Sequence, residues 1–157
     1  SMSAESSEKT RRILVAEDTE VIALLMKEIL TKAGYEVEVA VDGEACLLAI
    51  EQFRPDLLIL DLMMPKLHGI EVLKRVRADA LTADLAVMVC SAKALKAERV
   101  AAVDLGALAF IPKPFLPADL LDPIEGFFDG TASLFPSAVP AAVVPIGDPY
   151  EPQLTSG

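Results

Sequence analysis

Five side chains stand where they could do chemistry together: Glu17, Asp18, Asp61, Ser91 and Lys113. Each lies at the end of a short apolar run. Asp61 closes the segment Asp56-Leu-Leu-Ile-Leu-Asp61, the acidic pair follows residues 12–16, Ser91 follows 85–90, and Lys113 comes just after 107–111. Three carboxylates brought together repel one another, and each disfavours the ionised form of its neighbours. A hard divalent cation removes that conflict. Mg2+ suits it best, since it keeps several waters and takes one or two carboxylates plus a phosphate oxygen. Lys113 adds a second positive charge and Ser91 a hydroxyl donor. A cation, an ammonium and a hydroxyl around one carboxylate are the parts that stabilise a phosphoryl group during in-line transfer.

That chemistry requires elements that deliver all five to one place. The run 56–60 has no polar alternation, which predicts a strand buried on both faces of a parallel sheet. Residues 12–16 and 85–90 read the same way, 107–111 gives a further strand, and the alternating Glu-Val-Glu-Val of 36–41 predicts a less buried edge strand. Apolar residues at helical spacing predict a helix over 19–33, with Thr19 as N-cap and Gly34 as its stop. Further helices are expected over 44–53 after Asp42-Gly43, over 69–78, near 95–104 before Gly106, and from Pro117 onward. Strands alternating with helices define an α/β fold, a doubly wound five-stranded parallel sheet with helices on both faces. In such a sheet all carboxyl ends share one edge, where ligand crevices form.

Size and composition bound the function. The chain has 157 residues, 53% of them hydrophobic, enough for one domain and an additional segment. No apolar run is long enough to span a bilayer and nothing near the start resembles a signal peptide, so a cytoplasmic protein with no membrane partner is expected. Net charge is −10, and after Lys113 there is no Lys or Arg, which argues against direct nucleic-acid binding by the C-terminal half. Cys46 and Cys90 read as buried free thiols, and the lone His68 as a surface turn residue without a role. Residues 131–157 carry five of the eleven prolines and read as an extended tail or linker. The expected organisation is a short arm over 1–10, where Ser1 looks like a remnant of tag removal, a domain over 11–129, and the tail over 130–157.

The ordered set of Glu17-Asp18, Asp61 with Met64-Pro65 and Gly69, Ser91-Ala92, Gly106-Ala107, Phe110 and Lys113-Pro114-Phe115 resembles the receiver domain of two-component response regulators. The resemblance covers about residues 11–129 and implies a flavodoxin-like sheet of order 2-1-3-4-5. It implies that Asp61 accepts a phosphoryl group from a histidine kinase or a histidine phosphotransfer protein. Asp18, Asp61 and the backbone carbonyl of Met63 would hold Mg2+ directly, and Glu17 through water. Ser91 and Lys113 would each contact a phosphoryl oxygen, and Phe110 would be an aromatic switch. Movement of Ser91 would then repack the fourth helix, fifth strand and fifth helix, the surface that such domains offer to downstream effectors. The Lys113-Pro114 bond is expected to be cis.

Several residues depart from a plain copy of that pattern. Met63 and Lys93, each two residues beyond a site residue, occupy positions that the resemblance implies tune water access to the phosphoryl group. Met63 cannot orient a nucleophilic water, which predicts a long-lived phosphoryl form. Nor can it act as a general acid, which argues against an aspartate-nucleophile phosphatase on a related fold. Retention of the acids and the lysine argues against a mere scaffold. Pro112 removes a donor at the end of the last strand. Pro123, inside the last helix, is expected to kink or split it, with Gly126 weakening it further.

Overall fold

A computed structural model describes residues 9–92 and 95–130. Five parallel strands, β1 (Arg12–Ala16), β2 (Glu36–Ala40), β3 (Leu57–Leu60), β4 (Ala86–Ser91) and β5 (Phe110–Pro112), lie in the order β2-β1-β3-β4-β5. They alternate with α1 (Glu20–Lys32), α2 (Gly43–Phe53), α3 (Gly69–Ala78), α4 (Lys96–Asp104) and α5 (Pro117–Asp129). This is the expected doubly wound, flavodoxin-like α/β sandwich.

Side-chain alternation along each strand divides the core into two layers. Leu14, Leu58, Leu60, Val87 and Val89 face Ile50 of α2, Leu73 of α3 and Ala102 of α4. Ile13, Val15, Leu57, Ile59, Met88 and Cys90 face Met26 and Leu30 of α1 and Leu120 and Ile124 of α5. All four residues of β3 are buried, which explains its unbroken apolar run. β2 is an edge strand and carries the alternating pattern.

Local signals place most boundaries within a residue or two. Asp42 caps α2 by accepting the Ala45 N–H at 2.7 Å, and that bond holds its carboxyl below the usual range. Thr19 occupies the N-cap position of α1 but makes no side-chain cap bond; its own N–H donates to Glu17 Oε2 at 3.1 Å. The regular β5 is only three residues long rather than the five expected over 107–111. Leu108 donates to Val87 O and Val89 to Ala109 O, but Gly106 sits at φ +86° and the chain joins the ladder only after leaving that turn. Pro112 closes β5 at the sheet edge, where a missing donor leaves no neighbouring strand unpaired.

The split expected at Pro123 does not occur, because α5 runs unbroken from Pro117 to Asp129. Both ends of that helix are anchored. The Leu116 N–H donates to Asp119 Oδ2 at 2.8 Å, Gly130 turns into the left-handed region, and Leu120 and Ile124 on either side of the proline are fully buried. Packing outweighs the one backbone bond a proline forfeits. Tail residues 131–157, most of the arm, and Lys93 lie outside the described residues.

Candidate functional site: an acidic pocket at the carboxyl edge of the sheet

Strand register builds the pocket. Ala16 pairs with Leu60 and Leu60 with Val89, so Glu17 and Asp61 leave adjacent strands at the same level. Ser91 pairs with Pro112, which sets Lys113 one residue beyond the hydroxyl. Backbone bonds fix the strand exits: Asp61 N–H donates to Ala16 O at 3.0 Å, and Glu17 N–H to Ala40 O at 2.9 Å.

The Lys113 ammonium lies between two carboxylates, 2.5 Å from Glu17 Oε1 and 3.0 Å from Asp61 Oδ2. Burial by itself would lower the pKa of this lysine. Its hydrogen bonds and ion pairs to Glu17 and Asp61 outweigh that effect and hold it above the ordinary value. Glu17 is 1% exposed and Asp61 5%, whereas Asp18 lies open to solvent. One carboxylate oxygen from each of Glu17, Asp18 and Asp61 lies within 4.8 Å of the other two, a spacing that could hold a metal ion. Asp61 Oδ1 accepts the Met63 N–H at 3.0 Å, and the Met63 side chain is half exposed beside it.

The Ser91 hydroxyl is buried and has no hydrogen-bond partner among the described residues. Buried hydroxyls are rarely left so, and an orphan at the rim of an acid pocket points to a ligand oxygen. Phe110 is partly buried and packs against both core layers; it opens β5, three residues before Lys113. Thus Glu17, Asp18, Asp61 and Lys113 are brought together, with Ser91 and Phe110 on the strands that border them. Lys113-Pro114 is cis, as expected.

The loop that carries Asp61 into α3 is held by backbone bonds at two glycines and by His68. Gly69 N–H donates to Leu62 O at 2.8 Å and Gly43 N–H to Pro65 O at 3.3 Å. A Cβ on Gly43 would come within 2.3 Å of Leu67 O, so the loop and the β2–α2 turn are in backbone contact. His68 is no idle turn residue. Its Nδ1 accepts the Ile70 N–H at 3.1 Å, capping α3, and its Nε2 lies 3.0 Å from Glu98 Oε2 on α4. A histidine directly before a helix start was the one available signal for this. The two thiols are free and buried, and burial pushes both up to about 12.

An open, doubly wound sheet with an acid pocket and a lysine at its carboxyl edge defines the class. The response regulator receiver domain family matches residues 13–125, and the chain belongs to it. Response regulator MprA from Mycobacterium avium (strain 104) is 42% identical over 110 residues, 70% of this chain and 47% of that protein. The chain therefore spans about half the length of the curated relatives it matches. A CheY-like receiver domain protein from Methanospirillum hungatei JF-1 superposes with TM-score 0.73 and 31% identity, over 78% of this chain and 96% of that one. The receiver domain of a signal transduction histidine kinase from Syntrophus aciditrophicus gives TM-score 0.70 and 26% identity, over 77% and 92%. Among the described residues no helix is long and apolar enough to cross a membrane.

Proposed function

We propose that the chain is a phosphoacceptor signalling module, in which Asp61 takes a phosphoryl group from a phosphohistidine of a histidine kinase or a histidine phosphotransfer protein. The observation that carries this reading is the partly buried ammonium of Lys113 bonded to Asp61, with the orphaned Ser91 hydroxyl on the adjacent strand. An Asp61 carboxylate oxygen attacks phosphorus in line, and the phosphorus–nitrogen bond to the donor breaks. Lys113 and Ser91 then each engage one phosphoryl oxygen. Asp18, Asp61 and the Met63 carbonyl would hold Mg2+, with Glu17 behind them; when bound, the ion neutralises charge shared by the carboxylates and the phosphoryl oxygens.

The output is a change of protein contacts rather than turnover of a substrate. A new dianion at Asp61 draws Ser91 toward it, Phe110 turns inward, and the α4-β5-α5 surface repacks toward a downstream protein effector. We place the chain in the cytoplasm, as a domain over 11–129 with 130–157 as tail or linker. Met63, which can neither orient a water nor donate a proton, favours a long-lived phosphoryl form. Lys93 is the second tuning position.

Incubation with acetyl phosphate and Mg2+, followed by intact-mass measurement, tests the assignment. One added phosphoryl group, absent in Asp61→Asn and without Mg2+, is expected; an unlabelled parent chain would refute it. In the same assay a Met63→Asn variant should lose its label faster than the parent. Equal decay removes the role given to Met63.

A further inference from the structure

One polar chain joins the Asp61 loop to the start of α4, and the phosphoryl chemistry above makes no use of it. The Ile70 N–H donates to His68 Nδ1, His68 Nε2 meets Glu98 Oε2 at 3.0 Å, and the other Glu98 oxygen accepts the Leu95 N–H at 2.8 Å. A backbone N–H can only donate, so Nδ1 presents its lone pair and the proton of the neutral ring sits on Nε2, facing the carboxylate. The tautomer follows from the network. The N-caps of α3 and α4 thereby share one bond. It ties the loop that follows Asp61 to Leu95 and Glu98 at the start of α4.

The two sides of this bond are not equally fixed. The His68 side is tied down by Gly69 to Leu62 and by Gly43 to Pro65. On the Glu98 side, Ser91 carries a buried hydroxyl without a partner among the described residues, so Ser91 gains by moving toward an acceptor. Movement of Ser91 that carried the start of α4 with it would stretch the bond between His68 and Glu98. We infer that His68 is a positioning residue: through Glu98 it holds the start of α4 in the arrangement that leaves Ser91 unpartnered, and so opposes formation of the phosphorylated state. The inference rests on the reading of Asp61 as phosphoacceptor.

The test uses the full chain and beryllofluoride, a phosphoryl mimic, in the presence of Mg2+. His68→Asn keeps an α3 cap, since Asn is a good N-cap, but cannot reach Glu98. Glu98→Gln keeps one acceptor where two are needed. Both variants should bind beryllofluoride about fivefold more tightly than the parent, the scale of one partly exposed, charge-assisted hydrogen bond. The double variant should gain little more than either single one, and Mg2+ affinity measured alone should stay unchanged. A merely structural defect would instead weaken both ligands. Equal or weaker beryllofluoride binding in the variants, with a parent that binds, overturns this inference only; a parent that binds none overturns the phosphoacceptor reading with it.

Discussion

A methyl group on Gly69 would stand 2.7 Å from the carbonyl oxygen of Asp61 and 2.6 Å from the Cα of Leu62. The chain turns back on its own acceptor residue with no room for a Cβ, and the obstructing atoms are backbone, which cannot swing away.

Gly69→Ala therefore sets two effects against each other. Alanine in the first turn of α3 gains up to about 1 kcal/mol of helix propensity, while overpacking against fixed atoms costs about 1–3 kcal/mol. The clash should win. Urea unfolding is expected to show a less stable protein, and Asp61 should label more slowly with acetyl phosphate because its loop has shifted. An alanine variant as stable as the parent would show that the loop gives way easily.

Ser91→Ala separates folding from function. Its hydroxyl is buried and unpartnered among the described residues, so its removal should leave stability unchanged or raise it by up to about 1 kcal/mol. Labelling of Asp61 should nevertheless fall, because a phosphoryl oxygen loses its donor. Thermal melts and the mass assay on one preparation check both halves, and a clear loss of stability would mean that the hydroxyl has a structural partner.

Arg77 joins three segments. Its guanidinium donates to the carbonyls of Leu105 at 2.6 Å, Ala83 at 2.9 Å and Leu85 at 2.6 Å. Arg77→Ala should cost about 2–4 kcal/mol, since it strands several carbonyls at once. Arg77→Lys should recover only part, because an ammonium lacks the planar fork. Arg75, paired at the surface with Glu71 at 3.6 Å, is the control and should lose less than about 1 kcal/mol on the same change. Equal losses at the two positions in denaturant titrations would remove the distinction.

Cys46 and Cys90 predict an alkaline limit. Both thiols are pushed by burial from 9.0 to about 12. The unfolded chain therefore releases their protons first, and folding stability is complete below pH 9, then declines as pH rises toward 12. The slope is about −1.4 kcal/mol per pH unit for each thiol. Cys46→Ala and Cys90→Ala should each be less stable at neutral pH but show a shallower decline. Native protein should resist iodoacetamide and react once unfolded. Rapid alkylation of folded protein would contradict the burial.

Strand identity and the acidic residues themselves were legible from residue types, whereas the strand order came from the family resemblance. Leu57–Leu60 has no polar residue because both faces of β3 are covered, and the Glu-Val-Glu-Val of β2 alternates because that strand is at an edge. Asp61, Ser91 and Lys113 could be assigned to one rim because parallel strands must end on a common side. Burial and periodicity are local signals, carried by the chain itself.

Contacts between distant residues were not legible in this way. Nothing in the acidic pair says that Glu17, rather than Asp18, is buried against Lys113, since that follows from how β1 and β5 settle across β3 and β4. The double capping role of His68 needs Glu98 thirty residues away, and the reach of Arg77 needs Leu105 twenty-eight away. Pro123 read as a helix breaker because its local cost is certain, whereas the compensation comes from Leu120 and Ile124 packing under the sheet. The sequence by itself determined which groups meet at the sheet edge, because pattern and chain order suffice for that. Only the tertiary structure decided which of them pair, which stay orphaned and what holds them, because those outcomes depend on ångström-scale packing between segments remote in the chain.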